Sequence, residues 1–369
     1  MNTKNKKAVI FFENYESSWS RYPKSISDNF VDIDCFFAYN IKSNGSSKLN
    51  FKDTFHYYGN IKKIYKVLDK YRHLIVVIMS YRPIDLIFTT HLKLHFKNLI
   101  SVSVQHGVYS KKLRKTSLIS FLFQTKNRIY SYVYTLFKSK IFSLKYCLII
   151  LKEILLVNVF YSKSLRNSIL SEVFHLPENV LILNKSWTKY YNENFYKSIP
   201  NFFVVPHMDL SLLKNLKFNK NKNVVFVAQS LVEDGRYPKH LYIQELEMIF
   251  KCIPKDFTIT IKRHPRGINS IYENLSRNVI FSDQLVVSDY IISGYSSLMF
   301  LYKKLNCRVF SWKFNKHEND SYFNNFADKN GRSKELINFF NLTPLKIKVP
   351  NLTNPSKIYA DTIIKLYEK

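Results

Sequence analysis

The sequence predicts an α/β protein of two successive domains, each a mostly parallel sheet with helices on its faces. Three observations carry that prediction. Short apolar, β-branched runs alternate with helix-like stretches, which is the pattern of βα units rather than of hairpins. The alternation restarts near residue 201 after a long interruption. A length of 369 residues is long for one core and gives two domains enough chain to bury one each.

In the first half, residues 8–12, 31–37, 74–79 and 99–104 read as strands, because Val, Ile, Leu and Phe dominate runs too short for helices. Residues 60–71 and 84–96 read as helical or loop-like stretches between them. The run 180–183 completes a first domain assigned to residues 1–200, with the boundary between 190 and 205. In the second domain, residues 201–369, strands are expected at 224–227, 257–261, 279–281, 290–292 and 308–312, with helices at 242–252 and 297–305. The tail, 356–368, reads as an amphipathic helix of that second domain. No internal repeat or low-complexity linker interrupts the series.

The interruption is residues 111–166, where twelve Lys or Arg residues accompany a single acid, Glu153, among many aromatic and aliphatic side chains. Its most apolar part, 147–160, is broken by Lys152, Glu153 and Asn158, and so falls short of the ~20 residues that span a bilayer. Basic helices with apolar faces suit the surface of an anionic membrane; a buried helical pair with a solvated basic face is the alternative. The whole chain carries 56 basic against 27 acidic residues, a formal charge of +29, which favours anionic partners. Nucleic acid is the less favoured of these, because the densest basic stretch is also rich in Leu, Ile and Val rather than being a groove lined with stacking aromatics.

The four cysteines, Cys35, Cys147, Cys252 and Cys307, lie far apart in apolar contexts, as buried thiols in a reducing compartment would. The apolar run 8–12 is too short for a signal-peptide core. A cytoplasmic protein, peripheral on the inner face of the membrane, is the expectation.

Four strings fall where strands should end, the place where open parallel sheets bind ligands. The first is Gln105-His106-Gly107, whose imidazole titrates in the range useful to a general base. The second is Gln229 to Gly235, which contains Glu233 and Asp234. In the third, Lys262-Arg263-His264-Pro265-Arg266, proline restricts His264 to extended backbone while Lys262, Arg263 and Arg266 supply positive field. The fourth, Ser293-Gly294-Tyr295-Ser296-Ser297, is led by one of only seven glycines in the chain. It offers two hydroxyls and backbone N–H groups at a helix start, which suits a phosphate; ordinary N-capping by the serines is the alternative. Asp32-Ile33-Asp34 spells the D-x-D of metal-dependent glycosyltransferases, but it lies inside a strand-like run and reads as structural.

The order Q-H-G, E-D-G, H-P, S-S resembles the two-domain bacterial sialyltransferases and the related capsule and lipooligosaccharide glycosyltransferases. The resemblance covers mainly residues 224–312 and the Q-H-G loop. It implies the GT-B type of fold, two Rossmann-like domains facing each other across a cleft. It further implies a CMP-linked sugar donor held by His264, Ser296 and Ser297, with Pro265, Lys262, Arg266, Gly294 and Gln229 around it. The acceptor is a glycan or lipid-linked glycan, and no metal and no cofactor beyond the nucleotide sugar are called for. In that family the catalytic acid of the acid-acid-glycine motif lies in the N-terminal domain, whereas Glu233-Asp234 stands about thirty residues before His264. The base is therefore open among His106, Glu233 and Asp234, with His106 in the N-terminal place. Polyol-phosphate transferases of teichoic-acid type, which use a cytidine diphosphate donor, also carry H-P and S-S strings and are the alternative reading.

Overall fold

The computed structural model describes residues 6–15, 22–41, 52–56, 61–81, 83–105, 129–130, 133–134, 136–137, 143–155, 174–196, 198, 200–218, 222–233, 237–264, 271–272, 275–294, 296–314, 327–348 and 354–368. They divide into two compact units. One holds the described residues up to 105 with 129–208 and 354–368; the other holds 209–348.

The first unit runs β1 (Lys7–Tyr15), α1 (Pro23–Ser27), β2 (Ile33–Ile41), β3 (Asp53–His56), α2 (Ile61–Leu68), β4 (His73–Ile78), α3 (Pro83–His95), β5 (Ile100–Val104), α4 (Leu144–Leu155), β6 (Asn179–Ile182), α5 (Trp187–Asn194) and β7 (Asn201–Val204). Its seven strands are all parallel, in the order β3-β2-β1-β4-β5-β6-β7. Alternate side chains go to opposite faces. Val9, Phe11, Phe37, Ile75, Val77, Val102 and Val104 share one core with Tyr22 and Ile26 of α1. From the other face Phe12 meets Phe88 of α3 at 6.1 Å. Central strands such as β4 are buried on both faces, which is why they read as unbroken apolar runs.

The second unit runs β8 (Lys217–Phe218), β9 (Asn223–Val227), α6 (Lys239–Cys252), β10 (Thr258–Lys262), β11 (Val279–Ser282), β12 (Val286–Val287), β13 (Tyr290–Ser293), α7 (Leu298–Lys304), β14 (Arg308–Trp312), β15 (Lys329–Gly331) and α8 (Ser333–Phe339). Six of its strands form a parallel sheet ordered β11-β10-β9-β13-β14-β15, and β8 pairs with β12 apart from it. Val224, Phe226, Ile292, Phe310 and Trp312 pack with Leu246 and Ile249 of α6 and Leu336 and Phe339 of α8. The opposite face lies against α7, which touches β13 and β14.

Two elements fall elsewhere than the sequence suggests. The start of the second series at 201 is instead β7, the last strand of the first sheet, where Val205 N–H donates to Ile182 O at 2.9 Å. The terminal helix, α9 (Pro355–Ile364), packs on the first unit rather than the second. Tyr359, Ala360 and Ile363 are fully buried in the first core, and the Tyr367 hydroxyl donates to Ala8 O at 2.7 Å. Its apolar stripe was legible, but nothing in a local pattern says which core the stripe will join.

Asp34 of the D-x-D string is held within the first unit by Lys52 and the Tyr71 hydroxyl, in keeping with a structural role. Cys307 is buried, while Cys35, Cys147 and Cys252 are half-buried rather than fully enclosed. No helix among the described residues is long and apolar enough to cross a membrane.

Candidate functional site

Within the second sheet the chain leaves β9 in both directions, to β10 and β11 on one side and to β13, β14 and β15 on the other. The reversal falls between β9 and β13. Loops diverge there, and the crevice at the carboxyl ends of the two strands is where such sheets bind ligands. Register brings three of the four strings together at this end: Val227 stands opposite Ser293 on one side and Lys262 on the other. Gln229, Lys262, His264, Gly294, Ser296 and Ser297 thus all follow closely on three neighbouring strand ends.

Hydrogen bonds clamp these ends to one another. Ser293 Oγ donates to Val227 O at 3.0 Å, Ala228 N–H to Lys262 O at 3.0 Å, and Ser311 Oγ to Gly294 O at 3.2 Å. Gly294 is required by space rather than by backbone conformation. A Cβ there would lie 2.5 Å from the Phe314 ring and 2.7 Å from Gln229 Oε1. Phe314 in turn stacks on Tyr242, with ring centroids 5.5 Å apart, so the floor under the glycine is aromatic. Phe314 was not singled out in the sequence; it reads there as an ordinary apolar residue just past a strand.

The serine pair divides its work. Ser296 Oγ accepts the Leu298 N–H at 3.3 Å, whereas Ser297, at the N-cap, makes no side-chain capping bond. The N–H groups of Met299 and Phe300 go to Ser296 O and Ser297 O, at 3.1 and 3.2 Å. The N–H groups of Leu298, Met299 and Phe300 are thereby taken up within the first turn of α7. The Ser297 hydroxyl, which makes no capping bond, is what the pair offers to an anion most directly.

The basic string is also partly committed. Arg263 Nε donates to Asp283 Oδ1 at 2.7 Å, and its Nη2 pairs with the other carboxylate oxygen; this bond from Arg263 holds the Asp283 carboxyl below its ordinary range. Lys262 Nζ turns back to Arg263 O at 2.9 Å. His264 is half-buried at the end of the string. Pro265 and Arg266 lie outside the described residues.

Glu233 is half-buried beyond β9. Two phenols near it, Tyr242 and Tyr272, are held above the ordinary tyrosine range, first by burial and in smaller part by the Glu233 charge; Tyr272 is pushed up to about 12. Asp234 lies outside the described residues, as does His106. Gln105, just before His106, is fully buried in the first unit, where its Oε1 accepts the Leu183 N–H at 3.0 Å and ties β5 to β6. That glutamine serves the fold. Among the described residues no three His, Cys, Asp or Glu side chains group as metal ligands.

A half-buried ion pair with no sign in the sequence lies in the same unit. Glu245 of α6 accepts Arg332 Nη2 at 2.9 Å and Trp312 Nε1 at 2.8 Å, and the Arg332 guanidinium lies over the Trp312 ring. An acid inside an amphipathic helix gives no sign of facing inward until its partners are placed.

No protein-family model matches the sequence, and no curated protein matches it either. The fold, by contrast, has counterparts among solved structures. Medicago truncatula UGT71G1 complexed with UDP-glucose superposes with a TM-score of 0.50 at 9% identity, over 100% of this chain and 99% of that one. The fold is of the GT-B type. Two further matches are the wall teichoic acid polymerase TagF, with a TM-score of 0.47 at 13% identity over 100% of this chain and 90% of that one, and the UDP-GlcNAc 2-epimerase from Methanocaldococcus jannaschii, with 0.44 at 11% over 98% and 99%. At such identities the likeness concerns fold alone, and any activity has to be argued from the strand ends.

Proposed function

We propose that the protein is an inverting, metal-independent glycosyltransferase that moves sialic acid or a related nonulosonic acid from a CMP-linked donor to a bacterial surface glycan. The observation that carries the reading is the convergence of Gln229, His264, Gly294, Ser296 and Ser297 on adjacent strand ends at the point where the second sheet reverses direction. Hydroxyls and a histidine on a clamped platform suit the phosphate of a nucleotide. In this reading His264, Ser296 and Ser297 hold the CMP phosphate, with Lys262, Pro265 and Arg266 beside them and Gln229 and Gly294 shaping the floor.

In the reaction a base takes the proton of the acceptor hydroxyl as its oxygen attacks the anomeric carbon, and CMP leaves with the electrons of the broken bond. Donors fixed in advance around the leaving phosphate lower the barrier because they need not reorganise. We assign the base to His106; Glu233 and Asp234 are next in line. Incubation with a CMP-sugar and, in parallel, with a CDP-polyol, each beside a glycan acceptor and read by mass spectrometry, tests the reading. A glycoside and free CMP support it; a phosphodiester product overturns it in favour of polyol-phosphate transfer. His106→Ala should abolish turnover and spare donor binding, and an active variant would move the base to Glu233 or Asp234.

A further inference from the structure

We propose that the helical stretch between β5 and β6 is a docking surface for an anionic lipid bilayer. In α4, Leu144, Leu148 and Leu151 are 71%, 49% and 38% exposed. Their i, i+4, i+7 spacing puts all three on one side of the helix. The other side is already occupied: Ile149 and Ile150 are buried, and Tyr146 meets the His91 ring at 5.5 Å and stacks on Phe174 at 6.5 Å. The exposed leucines are therefore not the core face of a helix awaiting its own domain.

The same arrangement recurs just upstream. Among the described residues 129–130, 133–134 and 136–137, all helical, Tyr130, Tyr134 and Phe137 repeat the spacing and are 70%, 39% and 67% exposed, with the two tyrosine rings stacked at 6.0 Å, while Leu136 is fully buried. Two short helical stretches thus each show an apolar stripe outward. Lys145 and Lys152 are exposed beside the leucines, in a segment of twelve basic residues and one acid. Charge complementarity selects the occupant. Anionic headgroups attract the lysines while the leucines and aromatic rings enter the acyl boundary, so that the helix lies in the interface plane. A second copy of the chain would set one basic segment against another, and each copy carries +29.

This surface stands apart from the nucleotide reading, and either can fail without the other. The test is co-sedimentation of the full chain with phosphatidylcholine vesicles containing phosphatidylglycerol, against phosphatidylcholine alone. Binding to the first only, weakened by salt, is expected. Joint Leu144→Ser, Leu148→Ser and Leu151→Ser should weaken it by about tenfold or more, and Lys145→Gln and Lys152→Gln by about fivefold each, with circular dichroism and nucleotide affinity unchanged. The lysine variants decide the matter if the leucine variant does not fold. Equal binding to both vesicles, no binding to either, or unchanged sedimentation of the variants overturns the proposal. So does a dimer in sedimentation velocity that the leucine variant abolishes.

Discussion

The Oε1 atom of Gln229 lies 2.7 Å from the place where a Cβ on Gly294 would stand. This close approach joins the end of β9 to the end of β13, and the ring of Phe314, just past β14, closes it from a third side. Gly294→Ala should therefore displace both neighbours and destabilise the protein by about 1–3 kcal/mol, as overpacking does, measured by urea denaturation. Combined with Gln229→Ala, the effects should depart from additivity by at least about 0.5 kcal/mol. Additive effects would show that the two positions do not press on each other.

Glu245 and Arg332 predict a second effect in the same unit. Arg332→Met leaves a buried carboxylate without its charge partner and should cost about 3–5 kcal/mol. Trp312→Phe removes one hydrogen bond to the same carboxylate and should cost about 1 kcal/mol through that bond, with lost packing adding to it. If Arg332→Met proved the milder of the two in denaturant titrations, the ion pair would be a surface ornament.

Acid should unfold the protein partly through Asp328. Burial pushes this carboxyl up, but hydrogen bonds from Lys303 and the Val309 N–H, with Arg308 alongside, outweigh burial and hold it below its ordinary value. A folded value below the unfolded one means that the stabilisation is fully present above about pH 4 and is lost as pH falls through the folded value. Urea midpoints measured against pH should fall below about pH 4, and Asp328→Asn should flatten that fall. An Asp328→Asn curve parallel to the wild type would place the acid sensitivity elsewhere. Asp34, lowered by Lys52 and Tyr71 against the opposing effect of burial, should act in the same direction.

The central strands and the strings that follow them were legible because burial on both faces fills most of β9, β10 and β13 with Val, Ile, Phe and Tyr. Two edge strands were not, although the edge strand β11 was: β3 reads Asp-Thr-Phe-His and β15 reads Lys-Asn-Gly, too polar to stand out as apolar runs. Nor was α5, whose buried contacts come from Trp187 and Tyr191 rather than from an aliphatic stripe. The serine loop was legible as a site candidate, but the way Ser296 and Ser297 take up the N–H groups of Leu298, Met299 and Phe300 depends on backbone geometry that residue types do not encode.

Calorimetric titration with CMP, CDP, UDP and GDP, on the wild type and on His264→Ala, tests the central claim most directly. The account predicts saturable binding of a cytidine nucleotide in preference to the others, weakened about tenfold or more, or about 1.4 kcal/mol, by His264→Ala. No cytidine nucleotide binding, or binding that the substitution leaves unchanged, would contradict a nucleotide site at the ends of β9, β10 and β13.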